Sequence, residues 1–165
     1  MPKTIFLVGL TTILIVLLSL THVKANSYDD LNLPPQSVNP GDFIYPLKRI
    51  WEKVRVAVIK GHSAKVDYYE TLVIKRMSEL GNVVKNDKKK ELQKASERLS
   101  YFSGILTEYL IEKGTDSEKK NAIKRLKSFI KPLEELRDNY PANSSYWLLI
   151  SYNIDSLNEY SKKLD

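Results

Sequence analysis

Residues 63–85 read SAKVDYYETLVIKRMSELGNVVK, and their apolar side chains recur in steps of three and four. That spacing places them on one face of an α-helix, because a helix turns once in about 3.6 residues. The members of this stripe are Val66, Tyr69, Val73, Met77, Leu80 and Val84. The segment therefore predicts an amphipathic helix that buries this face against other helices.

A second apolar stripe follows and belongs to another helix. Its members are Leu92, Ala95, Leu99, Phe102, Leu106 and Tyr109. Extended backwards, this stripe puts Lys88 and Lys85 where apolar residues should lie, so the two stripes do not join. Asn86-Asp87 supplies turn chemistry between them, which predicts a helical hairpin over residues 63–113. One long helix with a solvated middle is the alternative.

Two further helices are predicted towards the C terminus. Thr115 followed by Glu118 is a capping-box pattern that opens a helix, and Pro132 inside that helix should make it kink or restart. Residues 143–145 (Asn-Ser-Ser) offer caps for the last helix. The apolar positions are Ile123, Leu126, Ile130, Leu133 and Leu136 in the fourth helix and Trp147, Ile150, Ile154, Leu157 and Leu164 in the last.

The stretch IYPLKRIWEKVR at residues 44–55 predicts a short amphipathic helix that starts at Pro46. Its apolar side carries Leu47, Ile50, Trp51, Val54 and Val58, and its basic side carries Lys48, Arg49, Lys53 and Arg55. We expect the apolar side to dock on the chain's own helices, and Glu52 to pair with Lys48 and Arg55. The alternative lays this helix on anionic headgroups with Trp51 at the interface.

The pattern as a whole predicts an all-α protein. Its fold is a helical bundle in which one short amphipathic helix precedes about four longer antiparallel helices, packed in the manner of a coiled coil. No segment alternates with period two for long enough to predict a strand. Residues 43–165 are the bundle domain, and residues 26–42, with three prolines, are predicted to be an extended proline-rich tether.

Residues 1–25 have the pattern of a signal peptide or an N-terminal membrane anchor. Residues 5–20 are mostly apolar, follow Lys3 and lead to Ala25, a small residue at a cleavage position. As a helix they span about 24 Å, less than the roughly 30 Å hydrocarbon layer, which favours cleavage over a retained anchor. In both cases we expect the rest of the chain to be secreted or extracytoplasmic.

The composition argues against several kinds of catalytic and metal-binding site. The chain has no Cys, which excludes thiolate catalysis and zinc-thiolate sites, and His62 is the single histidine after the leader. No metal, no cofactor and no catalytic residue is predicted, since neither a triad nor a phosphate-binding glycine loop is recognisable. Without Lys3 and Lys24, 24 basic residues face 20 acidic ones, and a net charge of +4 is too small to predict nucleic-acid binding.

The candidate interaction residues are basic and aromatic. They are Lys48, Arg49, Lys53, Arg55, Tyr68, Tyr101 and Tyr152. Tyrosine buries its ring and keeps its hydroxyl wet, so the ten tyrosines fit the rim of a core. They would equally suit a face that binds protein or carbohydrate, because tyrosine is enriched at interfaces.

The sequence resembles an uncharacterised family of extracytoplasmic helical domains, domain of unknown function 5667, over residues 38–113. The stretches GDFIYPLKRIWEKVRV and KRMSELG carry the resemblance. The matching positions of its first motif are Pro40, Asp42, Ile44, Tyr45, Leu47, Lys48, Arg49 and Glu52. The resemblance implies an extracytoplasmic location and a helical hairpin after a short helix, and it brings no catalytic residues. Some relatives accompany membrane-linked sigma-factor systems, which is compatible with a signalling partner and goes no further.

Three functions follow as hypotheses. The first is an exported, non-enzymatic helical module that binds a protein partner at the cell envelope. The second is a small cell-wall enzyme that uses carboxylates not yet identified. The third is a structural domain that adheres weakly to an anionic membrane or wall surface. The lack of paired catalytic side chains in the sequence favours the first.

Overall fold

A computed structural model describes residues 28–165 of the protein. Within this range the chain forms a short 3-10 turn, six α-helices and no strand, so the predicted all-α class is confirmed. The turn is Tyr28–Leu31, and the helices are α1 (Tyr45–Val58), α2 (His62–Lys85), α3 (Lys89–Lys113), α4 (Asp116–Ser128), α5 (Ile130–Arg137) and α6 (Ser145–Leu164). The predicted leader lies outside the described residues.

The predicted apolar stripes form one core. Helices α2 and α3 pack along each other, α3 packs on α6, and both α4 and α5 pack on α6. Fully buried members of the stripes include Val73, Met77, Leu80, Leu99, Leu106, Leu126, Leu133, Ile150 and Leu157. Burial of each large aliphatic side chain stabilises the fold by about 1.5–3 kcal/mol relative to exposure. The bundle is therefore held mainly by the faces that the periodicity predicts.

Residues 63–113 form a hairpin, and the alternative of one long helix is wrong. Helix α2 ends at Lys85 and α3 begins at Lys89. Asp87 adopts a φ of +49°, a left-handed conformation that Asp and Asn tolerate better than most residues. The Lys88 N–H donates to the Val83 carbonyl at 2.9 Å, which closes the turn.

The predicted helix-capping and helix-breaking residues have these roles in the structure. Thr115 and Glu118 form a complete capping box at the start of α4. Ser144 caps α6, and its hydroxyl accepts a hydrogen bond from the Trp147 N–H at 3.3 Å. The predicted fourth helix is interrupted at Phe129 and restarts as α5, because Pro132 has no N–H to offer the Ser128 carbonyl.

The orientation of α1 is the reverse of the predicted one. All five residues of its apolar side are exposed, and Trp51 retains 68% of its accessible surface. The buried residues of α1 are Tyr45 and Glu52, which lie on the opposite side of the helix. The predicted pairing of Glu52 with Lys48 and Arg55 is also wrong, since Glu52 binds Arg76 of α2. Polar contacts to α2 and α3 set this orientation.

The segment from Tyr28 to α1 contains no further helix and lies against the bundle. The Tyr28 hydroxyl donates to the Ser78 carbonyl at 3.2 Å, and the Ser78 hydroxyl donates to the Pro34 carbonyl at 3.1 Å. The Tyr28 ring occupies the space in which a side chain at Gly81 would lie. Among residues 28–165, no helix combines the length and apolar character that a bilayer crossing requires.

Candidate functional site

Arg76 of α2 is the centre of a buried polar cluster beneath α1. Its side chain is only 1% exposed. One terminal nitrogen donates to the Tyr45 hydroxyl at 2.8 Å and to Glu79 Oε2 at 2.5 Å. The other terminal nitrogen donates to Glu52 Oε2. Arg76 thus binds two residues of α1 and one of its own helix.

Further contacts extend this cluster to α3 and to the basic side of α1. The Tyr45 hydroxyl donates to Glu79 Oε2 at 2.6 Å, and Arg98 of α3 donates to the same hydroxyl at 2.9 Å. Lys48 Nζ donates to Glu79 Oε1 at 2.7 Å. We call this set the anchor network, and its members are Tyr45, Lys48, Glu52, Arg76, Glu79 and Arg98.

The electrostatics of the anchor network favour its charged form. Burial opposes the charge of Arg76, but the carboxylates of Glu79 and Glu52 outweigh that effect and raise its pKa. Burial, followed by the Glu79 carboxylate, raises the pKa of Tyr45 and keeps its hydroxyl a donor. Removing one partner of a buried ion pair costs about 3–5 kcal/mol, because the other charge is left without compensation. The network therefore holds the polar side of α1 inwards.

Two buried polar atoms of the anchor network lack hydrogen-bond partners in the part of the chain that the structure describes. Glu52 Oε1 and Arg76 Nε are buried and have no hydrogen-bond partner among the described residues. Lys75 Nζ lies 3.9 Å from Glu52 Oε1, which is an ion pair without a hydrogen bond. Burial lowers the pKa of Lys75. The charges of Lys75 and Glu52 compensate each other only in part.

The outward side of α1 is an apolar strip that we call the α1 ridge. It consists of Leu47, Ile50, Trp51, Val54 and Val58, all of them exposed. Phe43, which is 98% exposed, and Ile44 continue the apolar surface before the helix begins. These seven side chains expose on the order of 800 Å² of apolar surface, given that one aromatic side chain covers about 150–250 Å². The largest apolar patch on a typical monomer is about 300–600 Å².

A groove runs along each flank of α1. The α1–α2 groove has a volume of about 450 Å³ and is lined by Lys48, Trp51, Glu52, Val54, Arg55, Val58, Tyr68 and Lys75. The α1–α3 groove has a volume of about 250 Å³ and is lined by Arg49, Glu52, Lys53, Val56, Tyr69, Tyr101, Phe102 and Ile105. The ridge between them is therefore raised above concave surface on both sides.

The structure distributes the candidate residues from the sequence over these features. Arg49, Lys53 and Tyr101 meet in the α1–α3 groove. Arg55 and Tyr68 meet in the α1–α2 groove, where the guanidinium lies 4.9 Å from the centre of the buried Tyr68 ring.

Two of the candidate residues take other positions. Lys48 also lines the α1–α2 groove, but its ammonium is engaged in the anchor network. Tyr152 is exposed on α6 and lines neither groove.

His62 lies at the start of α2 and joins two other helices. Its ring nitrogens lie 3.3 Å from the Tyr109 hydroxyl and 3.0 Å from Glu118 Oε2. The hydrogen bond from His62, followed by those from Thr115, lowers the pKa of Glu118 to about 2. Within residues 28–165, no three His, Asp or Glu side chains are grouped closely enough to hold a metal ion.

Neither composition nor spacing marked Arg76, Glu79 or Arg98 as functional residues. Charged residues are almost never fully buried, so each of these three side chains would be expected on the protein surface. A signal was nevertheless present, because Arg76 and Glu79 lie in KRMSELG and Tyr45, Lys48 and Glu52 lie in the first motif. The two stretches that carry the family resemblance thus supply five of the six residues of the anchor network.

The model of a family described as a domain of unknown function, DUF5667, matches residues 37–163. The chain belongs to the DUF5667 family. The match is longer than the resemblance seen in the sequence and extends from before α1 into the last turn of α6. Neither the curated proteins nor the solved structures gave a match to the chain. The anchor network, the α1 ridge and both grooves all lie within this DUF5667 domain.

Proposed function

We propose that this DUF5667 protein is an exported, non-catalytic module that binds a protein partner at the cell envelope through the α1 ridge. One observation carries the proposal: the anchor network holds the polar side of α1 against the bundle and leaves its apolar side in solvent. Burying the roughly 800 Å² of apolar surface that the ridge, Phe43 and Ile44 expose together is worth on the order of 20 kcal/mol before the costs of association. A partner that covers the ridge and these two residues would recover that free energy.

The combined apolar area of the ridge, Phe43 and Ile44 supports a protein partner. A standard protein interface buries about 800 Å² on each side. The ridge is also fixed before binding, because Arg76 and Glu79 hold α1 from within the core. A rigid surface loses little conformational entropy when it binds, which increases affinity.

The surface shape of the site supports a partner helix in particular. A raised ridge with a groove on each flank complements a shaped protein surface better than the smooth interface of a bilayer. Basic side chains border the ridge, with Lys53 on one flank and Arg55 and Lys75 on the other. The partner that fits is an amphipathic helix whose apolar side covers the ridge and whose edges carry acidic residues.

The carboxylates of the anchor network serve attachment of α1 in this proposal. Glu52, which lines both grooves, and Glu79 are the buried acids among residues 28–165, and both bind Arg76. A general acid or base must reach the substrate and exchange a proton. Carboxylates that are tied to a buried guanidinium favour a binding module over the cell-wall enzyme.

Export is the part of the proposal that depends on residues 1–25. Their apolar stretch and the small residue Ala25 support passage across the membrane. Cell fractionation with protease treatment of intact cells tests this step separately. A full-length chain that stays in the cytosol, protected from protease, would contradict export without affecting the binding surface.

Site-specific cross-linking tests the binding surface. The full chain is expressed in its source cells with p-benzoylphenylalanine in place of Trp51, or in place of the exposed Tyr152 as a control. We expect position 51 to give one discrete protein adduct that position 152 does not give. The additional substitution Val54→Asp on the same ridge should abolish the position-51 adduct, because a carboxylate would then be buried in the interface.

The affinity of the full chain for the protein that cross-links at position 51, once that protein is purified, completes the test. Trp51→Ala should weaken binding at least tenfold, as expected for a central aromatic anchor. An adduct with a second copy of the chain would replace the proposal with self-association. Flotation of the full chain with phosphatidylglycerol vesicles, lost in Trp51→Ala, would replace it with membrane adhesion. Unchanged affinity in Trp51→Ala would show that the partner binds elsewhere.

A further inference from the structure

The α1–α3 groove carries basic side chains that the fold does not use. Arg49 and Lys53 follow each other at i and i+4 on α1 and line this groove. Lys94 of α3 borders the adjoining surface together with Arg49, Tyr101 and Glu97, whose carboxylate accepts a hydrogen bond from Gln93. Within residues 28–165, none of the three cations has an ion-pair or hydrogen-bond partner. Lys48 and Arg98, in contrast, are engaged in the anchor network.

The walls of the groove are aromatic and aliphatic. Tyr69 is buried, Phe102 is half-buried and Tyr101 is 61% exposed. The Phe102 ring is fixed by Tyr101, whose ring centre lies 5.2 Å away, and by the Arg76 guanidinium at 5.0 Å. A flat ring face beside free cations is a setting in which an apolar ring can stack while its charged substituent is neutralised.

We propose that the α1–α3 groove binds a small organic anion. A single ring lies against Tyr101 and Phe102, and a carboxylate or phosphate group on that ring binds Arg49 and Lys53. The cavity of about 250 Å³ limits the ligand to a compact molecule, because drug-sized ligands occupy about 300–1,000 Å³. Arginine favours such a group because its planar guanidinium donates two parallel hydrogen bonds to it.

Two classes of ligand have this combination of groups, acidic sugars and aromatic acids. Both present a ring with an apolar face and one anionic group. The α1 ridge and this groove share no residue, although Lys53 borders both.

Fluorine NMR of the full chain labelled with 3-fluorotyrosine tests the proposal. The probes are phenyl phosphate and glucuronate, with benzyl alcohol and inorganic phosphate as partial ligands. We expect phenyl phosphate or glucuronate to shift the Tyr69 and Tyr101 resonances saturably and to leave Tyr152 unmoved. The Tyr→Phe variants at these three positions assign the signals. Tighter binding of phenyl phosphate points to an aromatic acid, and tighter binding of glucuronate points to a sugar acid.

Charge-matched variants separate a site from general attraction. The double change Arg49→Gln and Lys53→Gln should weaken the better anionic probe at least tenfold and leave benzyl alcohol unaffected. Lys120→Gln with Lys124→Gln removes the same charge at the same spacing from exposed α4 and should have no effect. Equal weakening by both pairs would overturn the proposal. So would a lack of saturable shifts, or the largest shift at Tyr152.

Discussion

Replacing Arg76 with methionine is the most direct test of how α1 is attached. The change keeps an unbranched side chain in the same space but leaves Glu52 and Glu79 without their shared cation. Lys48 still pairs with Glu79, and Lys75 lies 3.9 Å from Glu52, so compensation is only partial. We expect the free energy of opening α1 away from the bundle to fall by about 3–5 kcal/mol, the usual cost of leaving a buried charge unpaired.

The loss should be concentrated in α1, because its polar side is what binds it to the bundle. The core formed by α2, α3 and α6 does not need α1 to close. Hydrogen exchange measured by mass spectrometry resolves the two regions. Peptides that cover Tyr45–Val58 should exchange roughly 100- to 4,000-fold faster in Arg76→Met, since each 1.4 kcal/mol corresponds to a factor of ten. Peptides from Ser145–Leu164 should change much less.

Two variants control this experiment. Arg125→Met removes an exposed guanidinium from α4 and should leave exchange in α1 unchanged. Neutralising the two carboxylates in the Arg76→Met background, with Glu52→Gln and Glu79→Gln, should restore part of the lost stability because no carboxylate is then buried without its guanidinium. Unchanged protection of α1 in Arg76→Met, or equal loss in α1 and α6, would refute the anchoring role.

Three further predictions address other parts of the molecule. Trp51→Ala should change the free energy of unfolding by less than about 0.5 kcal/mol, as surface changes do, whereas a docked tryptophan would cost about 3–5 kcal/mol; urea denaturation distinguishes the two. Gly81→Ala should displace Tyr28 and make residues 28–42 more accessible to proteolysis. In a Tyr28→Ala background the same change should stabilise α2 by up to about 1 kcal/mol. Glu118 has a pKa of about 2 in the folded state and a reference value of 4.5, so the stability it contributes is present above pH 4.5 and is lost as the pH falls towards 2. Thermal unfolding as a function of pH should show this dependence, and Glu118→Gln should remove it; an unchanged pH profile in Glu118→Gln would contradict this role of Glu118.

Much of the bundle could be predicted from local patterns. The stripe from Val66 to Val84 is buried along its whole length, and the stripes of α3 and α6 supply the facing surfaces. The turn at Asn86-Asp87 and the caps at Thr115 and Ser144 also act as predicted. These features involve residues within about four positions of one another, so a single segment contains all the information.

The candidate site could be predicted only in part. Arg49, Lys53 and Tyr101 were candidates from the sequence and lie together in the α1–α3 groove. Their proximity depends on how α1 crosses α3, which no local pattern encodes. Arg76 was missed because charge normally indicates exposure, and its burial is stabilised by partners that are not local to it, such as Tyr45, 31 residues away.

The sequence by itself determined the helices, their ends, their buried faces in the bundle and the resemblance to the family. It also determined that α1 has one apolar and one polar side. Only the tertiary structure decided which side of α1 faces the bundle. Amphipathic spacing defines two sides without naming the neighbour of either, and here Arg76, Glu79 and Arg98 bind the polar side strongly enough to leave the apolar side in solvent.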